Sequence, residues 1–274
     1  SLAVRRMLKK NALVHKLHSV ETLGCANVIC TDKTGTITQN KMTVTDIFTY
    51  SEKPCEYSLA DGRFTSKKQG SERAFRLFNE CACLCNDAVI TKTRATPNGR
   101  DRGKTTIVCK GEPTEAALAM MAYANGITPQ STGFKRIAEV PFDSESKKMS
   151  VTVAGDSIDK ITFTKGAPDK VIDLCRLRLE GDEQFTLSAN EKSLIGKVCE
   201  RYAQNGLRVL ALSCDLGQGE IFLGLAALKD PLREEARAAV LSCRRAGIRT
   251  VMITGDHALT AKAIACEAGI FREG

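Results

Sequence analysis

A short apolar run, Ala26-Asn27-Val28-Ile29-Cys30, ends almost directly in Asp32-Lys33-Thr34-Gly35-Thr36-Ile37-Thr38. The run has the length and composition of a buried strand, so Asp32 falls just past a strand's carboxyl end. In open α/β sheets the crevice beyond the strand tips is where ligands bind. A similar pairing stands far downstream. Ile248 to Thr254 is an apolar strand, Gly255-Asp256 follows it, and a helix is expected from about Ala258 to Ala268. Placing both strands in one sheet brings Asp32 and Asp256 to one notch. The residues between them must then form an inserted lobe.

The loop itself points to phosphorus chemistry. Lys33, two threonine hydroxyls and Gly35 supply a cation, donors and a sharp turn. A carboxylate held there can attack a phosphoryl group. Its own charge opposes this: a carboxylate and a phosphate at ~4 Å repel by about 4 kcal/mol per charge pair at an effective dielectric of ~20. A cation is therefore needed, and Mg²⁺ is the expected one, because it binds through one or two carboxylates plus phosphate oxygens.

The size, 274 residues, suits one large domain or two modest ones, and a hydrophobic content of 43% is enough for a real core. A net charge of +8 suits an anionic ligand but is too diffuse to argue for nucleic acid. No apolar run approaches the ~20 residues a membrane-crossing helix needs. Twelve cysteines with no secretory signal argue for a reducing compartment. Cys81-Ala82-Cys83-Leu84-Cys85 lacks zinc-ligand spacing, and on a helix Cys83 points away from the other two. Buried small residues are the better reading there. His15 and His18 have no carboxylate or cysteine partner nearby and read as surface residues.

Along the chain, Met42 to Tyr50 reads as a strand, and residues 51–70 as loop with one short strand. Ser71-Glu72 opens a helix. The basic, breaker-rich residues 91–105 read as a mobile surface loop. Pro113 starts another helix with Glu115 in its first turn. Phe134 to Asp143 reads as a strand. Met149 to Val153 and Ile161 to Thr164 read as a hairpin. Lys165-Gly166-Ala167-Pro168 then leads into a helix from Asp169 to about Cys175. Ser188-Ala189-Asn190-Glu191 is a capping box whose helix ends at Gly206. Strands follow at Leu207 to Cys214 and Ile221 to Leu228. The middle of the chain thus looks antiparallel. Phe222 to Leu228 is expected to open a βαβ unit, with Asp230 capping the next helix.

Asp-Lys-Thr-Gly-Thr-Ile-Thr resembles the phosphorylation signature of P-type cation-transporting ATPases. The flanks Ser19-Val20-Glu21-Thr22-Leu23-Gly24 and Asn40-Lys41-Met42-Thr43-Val44 resemble the calcium-pump branch. Nearly the whole chain is covered by the resemblance. It implies a partial haloacid-dehalogenase-like parallel sheet interrupted by an inserted antiparallel α+β nucleotide-binding domain. The expected divisions are 1–45, a stalk connection and first part of the phosphorylation domain; 46–220, the nucleotide-binding domain; and 221–274, the second part of the phosphorylation domain. ATP would phosphorylate Asp32, with Lys33 and Thr34 in the catalytic loop and Asp32 and Thr34 at Mg²⁺. Adenine would stack on Phe142, a contact worth ~1–3 kcal/mol for a base on an aromatic ring. Lys147 would lie nearby, Lys165 and Gly166 would line the pocket, and Glu115 would accept from the adenine amine. Arg208 would reach the phosphates, and Thr254, Gly255 and Asp256 would lie on the phosphate side. The implied partners are the transmembrane and actuator domains of a parent pump, at the cytoplasmic face of a membrane, with no nucleic acid involved.

The sequence departs from the family pattern in places. His257 stands where many members carry Asn and reads as a tolerated substitution. Ser144 stands where calcium pumps often place an Arg, which puts phosphate affinity in question. The family's Gly-Asp-Gly-x-Asn-Asp loop does not follow Gly274, so the expectation for this chain alone is ATP binding with little phosphorylation. Two other classes compete: a soluble haloacid-dehalogenase-type phosphatase and a non-catalytic nucleotide-binding module. The phosphatases usually carry a second Asp two residues after the nucleophile. Thr34 stands there, which suits a long-lived acyl-phosphate.

Overall fold

The computed structural model describes residues 2–9, 12–14, 16, 18–60, 63–66, 70–94, 105–155, 158–255 and 258–272. They form two compact units, one of Ser1–Asn40 with Leu232–Gly274, the other of Lys41–Pro231.

The first unit begins with α1 (Leu2–Leu8), α2 (His18–Gly24) and β1 (Val28–Asp32). The larger unit opens with β2 (Thr43–Tyr50), β3 (Pro54–Ala60) and β4 (Arg63–Ser66), joined antiparallel. Residues 51–70 therefore hold two strands where one was expected. α3 (Glu72–Leu84) starts where the Ser71 hydroxyl accepts the Ala74 N–H, as its sequence predicts. β5 (Val89–Arg94) and β6 (Thr105–Lys110) pair antiparallel. The basic stretch expected to be loop thus has strands at both ends, and its residues 95–104 lie outside the described residues.

α4 (Pro113–Ala124) is capped by the Glu112 carboxylate, which accepts from the Thr114 and Glu115 N–H groups. The short α5 (Pro129–Thr132) leads to β7 (Lys135–Asp143), β8 (Lys148–Gly155) and β9 (Ile158–Gly166), an antiparallel meander. Then come α6 (Pro168–Leu174), β10 (Leu177–Glu180), β11 (Glu183–Thr186) and α7 (Ala189–Gln204). The capping box of α7 forms as predicted: Ser188 accepts from the Glu191 N–H, and Glu191 reaches back to the Ser188 N–H. β12 (Arg208–Asp215) and β13 (Glu220–Lys229) complete a ten-stranded sheet. Its main order is β4-β3-β2-β13-β12-β9-β8-β7, with the β10–β11 hairpin attached to β13.

Both faces of this sheet are covered. Phe78, Cys81, Leu118 and their helix neighbours pack on Val151, Phe163, Leu212 and Leu223. Val171, Ile195 and Tyr202 pack with Phe48, Phe222 and Leu225. At about 25 cal/mol per Å² of apolar surface removed from water, these two layers are the main source of the unit's stability.

The chain then returns to the first unit through α8 (Ala236–Arg245), β14 (Arg249–Ile253) and α9 (Ala258–Glu267). β14 pairs in parallel with β1, from Val28 opposite Arg249 to Asp32 opposite Ile253. Here the reading of residues 221–235 needs correction. Phe222–Leu228 lies in β13, between β12 and β2 and antiparallel to both, not in a βαβ unit. Eight consecutive buried residues fit any central strand covered on two faces, so the apolar run alone could not fix its direction. Nor does Asp230 cap a helix. Its Oδ1 accepts the Lys41 N–H at 3.0 Å, and α8 begins six residues later.

Candidate functional site

In the smaller unit the strand β1 carries Asp32 as its last residue, exposed, and Lys33 follows, buried. Lys33 to Ile37 forms a tight turn. Gly35 takes φ +76°, a left-handed conformation that L side chains resist. The turn is cross-braced. The Thr38 hydroxyl donates to the Lys33 carbonyl at 3.1 Å and accepts the Gly35 N–H at 3.4 Å. The Arg233 guanidinium donates to the Gly35 carbonyl at 2.8 Å, and the Arg233 N–H to the Ile37 carbonyl at 3.0 Å. The hinge-like string Asp230-Pro231-Leu232-Arg233 thus contributes Arg233 to the support of the loop. Thr34 is exposed, beside the turn's glycine. Thr254 and Gly255 follow β14, next to the end of β1 in register. Asp256, the predicted partner of Asp32, and His257 lie outside the described residues.

In the larger unit, the predicted residues gather where β9 ends. Lys165 is buried, and its Nζ lies 2.5 Å from Glu115 Oε1, with side-chain exposures of 8% and 19%. The other Glu115 oxygen accepts the Asp87 N–H at 3.3 Å. Gly166 pairs with Lys148 on one side and Ala211 on the other. It must be glycine: a Cβ would stand 2.5 Å from the Lys147 carbonyl oxygen and 2.8 Å from Lys148 Cα. Lys147 has φ +53° and closes the turn between β7 and β8. Its N–H donates to the Asp143 carbonyl at 2.7 Å, and its carbonyl accepts the Ala167 N–H at 2.9 Å. The Asp143 carboxylate accepts the Ser146 N–H at 2.7 Å, a bond that holds its pKa below the ordinary aspartate value. Ser144 is exposed in the same turn.

Phe142 precedes this turn on β7, with 64% of its surface exposed. Asp143 pairs with Lys148, which pairs with Gly166. Two inter-strand steps therefore separate the Phe142 end of β7 from Gly166, roughly 10 Å of backbone. Arg208 begins β12 three residues beyond the Ala211–Gly166 pair, exposed at the same end of the sheet. Glu115, Phe142, Lys147, Lys165, Gly166 and Arg208 are thus carried on one end of one sheet and its covering helix. An exposed aromatic, a buried ammonium–carboxylate pair and further cations suit a planar, polyanionic ligand.

Sequence reasoning missed the support beneath this group. Arg136 on β7 donates to Asp87, Glu139, Leu84 and Asn86. The Asn86 amide donates to the Glu115 carbonyl at 2.9 Å. No local spacing marks contacts that span about fifty residues; the only signal was an arginine on an otherwise ordinary strand. Among the described residues no group of three or more His, Cys, Asp or Glu side chains converges to hold a metal. Cys81 and Cys85 are buried in the core beside Cys83, which is half-exposed, as the helical spacing implied.

The family model described as P-type ATPase, cytoplasmic domain N, matches residues 74–235. A calcium-transporting ATPase of Bacillus subtilis (strain 168) is 38% identical over 290 residues, covering 97% of this chain and 31% of that protein. Calcium-transporting ATPase type 2C member 1 of Homo sapiens is 37% identical over 283 residues, covering 99% of this chain and 29% of that protein. A calcium-transporting ATPase 1 of Lactococcus lactis is 36% identical over 290 residues, covering 100% of this chain and 30% of that protein. The chain spans less than a third of the length of these relatives.

Proposed function

The chain belongs to the P-type ATPase family, its residues 74–235 matching that family's cytoplasmic domain N, and on that premise we propose that it is the ATP-binding and phosphorylation segment of a cation pump. The observation that carries the reading is the buried Lys165–Glu115 pair at the end of β9, on the same sheet end as the exposed Phe142. Adenine stacks on Phe142, and Glu115 and Lys165 form the floor. Lys147 and Arg208 face the triphosphate, where each cation offsets part of the phosphate charge.

Asp32 is the nucleophile. One carboxylate oxygen forms a bond to the γ-phosphorus as the bond to the bridging oxygen breaks and ADP departs. Lys33 and the braced turn fix that carboxylate at the strand end. The exposed oxygen donors Asp32 and Thr34 fit Mg²⁺, which takes oxygen ligands and phosphate together. When bound, Mg²⁺ neutralises phosphate charge and lets two anions approach. Thr34 stands two residues after Asp32, where the related phosphatases carry a general acid, and this favours a long-lived aspartyl-phosphate. Thr254, Gly255 and Asp256 belong to the phosphate side, and residues 1–40 with 232–274 to a haloacid-dehalogenase-like phosphorylation domain.

Calcium is the proposed cargo, from the likeness to pumps that carry calcium in their names. No helix of the described residues is long and apolar enough to cross a membrane. Transport is therefore assigned to a parent protein with transmembrane and actuator domains, this segment lying at the cytoplasmic face. The test is ATP titration of the chain and of its Phe142→Ala and Lys165→Ala variants, with both expected to bind more weakly. In the parent pump, Asp32→Asn should abolish an acid-stable, hydroxylamine-sensitive phosphate label. Unchanged ATP affinity in both pocket variants would sink the nucleotide site, and a persisting label on Asp32→Asn would sink the nucleophile.

A further inference from the structure

β7 carries Phe142 yet is poorly held by its sheet. It is an edge strand, and all nine of its residues are exposed. Its pairing with β8 slips twice, between Arg136 and Ala138 and between Val140 and Asp143. Each slip frees backbone groups from the ladder and re-aims the residues that follow. Ladder pairing alone therefore leaves the height and orientation of Phe142 loosely specified.

Arg136 is where this strand is tied to the helix layer. Nη1 donates to Asp87 Oδ1 and to Glu139 Oε2, both at 2.9 Å. Nη2 donates to the Leu84 carbonyl at 2.9 Å and to the Asn86 carbonyl at 2.7 Å. One planar fork thus grips Leu84, the last residue of α3, and Asn86 and Asp87 just beyond the helix cap. Those residues are also the ones that hold Glu115: the Asp87 N–H donates to its Oε2 and the Asn86 amide to its carbonyl. Glu115 in turn holds Lys165. A short chain of polar contacts therefore runs from the Phe142 strand to the buried ion pair. Lysine could not reproduce it, because a point ammonium lacks the four-bond fork.

We propose that Arg136 is a positioning residue of the nucleotide pocket, fixing the strand that bears Phe142 in register with the Glu115–Lys165 floor. It touches neither base nor phosphate. This inference rests on the nucleotide-site reading above.

The test is calorimetric ATP titration of the full chain with melting curves alongside. Arg136→Gln should weaken ATP binding about tenfold, the scale of one lost hydrogen bond to a charged group. Arg136→Lys should fall between it and the unaltered chain. In a Phe142→Ala background, Arg136→Gln should add little further loss, because the stacking ring it positions is gone. Arg201→Gln, which breaks the exposed pair with Glu56, should leave affinity unchanged. Should Arg136→Gln fail to fold, Asp87→Asn decides: it removes one carboxylate partner of Arg136 but keeps the backbone N–H to Glu115, and should weaken ATP binding severalfold. ATP affinity unchanged in Arg136→Gln, or a loss fully additive with Phe142→Ala, overturns the proposal while leaving the nucleotide site standing. Unchanged affinity in Phe142→Ala and Lys165→Ala removes the site and this proposal together.

Discussion

Lys165 donates to Glu115 across 2.5 Å at the end of β9, and neither side chain has much water around it. Removing one member leaves the other charge buried without its counter-ion. Glu115→Leu should therefore destabilise the chain by about 3–5 kcal/mol, whereas Glu115→Leu with Lys165→Met should recover much of that loss. Denaturant unfolding of the two single variants and the double variant gives the comparison. A double variant no better than the worse single would mean that packing, not charge, holds this corner.

Gly166→Ala should be more damaging than its one added methyl group suggests. The new Cβ meets the Lys147 carbonyl and Lys148 Cα, both backbone, so no side chain can swing aside. We expect a loss of about 1–3 kcal/mol, with weaker ATP binding because the Lys147 turn shifts. A melting temperature equal to that of the unaltered chain would refute the close approach.

Glu220 supplies a pH dependence of defined sign. Burial raises its carboxyl pKa, more than the hydrogen bonds from Ser213 and Thr164 lower it. Folding therefore favours the protonated form. The penalty is fully present above the folded pKa and is relieved as pH falls toward the unfolded value of ~4.3. Glu220→Gln should melt higher than the unaltered chain at pH 8, and the gap should close near pH 4. A gap that widens on acidification would show the carboxylate to be stabilising in its ionised form.

The cysteines should divide by burial. Burial raises the Cys85 and Cys175 thiols to about 12 and also raises Cys81 and Cys214. Cys25, Cys30 and Cys266 are exposed. Since the thiolate is the reactive form, brief alkylation at neutral pH should mark those three, and the buried four only after denaturation. Mass mapping of the labelled peptides reads this directly. Early label on Cys81 or Cys85 would contradict the helix packing.

How much of this could be read beforehand depended on the range of the interaction. Ser71 and the Ser188–Glu191 box announce their helices because a cap is written within four residues. The β8–β9 hairpin is legible for the same reason. The Asp32 loop stands out because strand, carboxylate and glycine are contiguous, and the parallel pairing of β1 with β14 agrees with the two apolar runs. Where long-range choices decide, the signal fades. A fully apolar strand such as β13 carries no mark of direction. The β5–β6 hairpin hides in a basic stretch whose apolar residues are sparse. Asp230 looks like a cap because Pro231 follows it, but its acceptor serves Lys41, 189 residues away in sequence and beside the neighbouring strand. Arg136 finds its partners fifty residues away, where composition says nothing.

β2 and β13 are the first and last strands of the larger unit, and they are neighbours, with Thr43 opposite Lys229 and the Lys41 N–H bonded to Asp230. Entrance and exit are therefore a few ångströms apart. A lobe built this way behaves as a cassette. Residues 41–231 should fold when expressed alone, and splicing them into the surface loop of an unrelated host should need no spacer, since the doorway they occupy is only as wide as two adjacent strands.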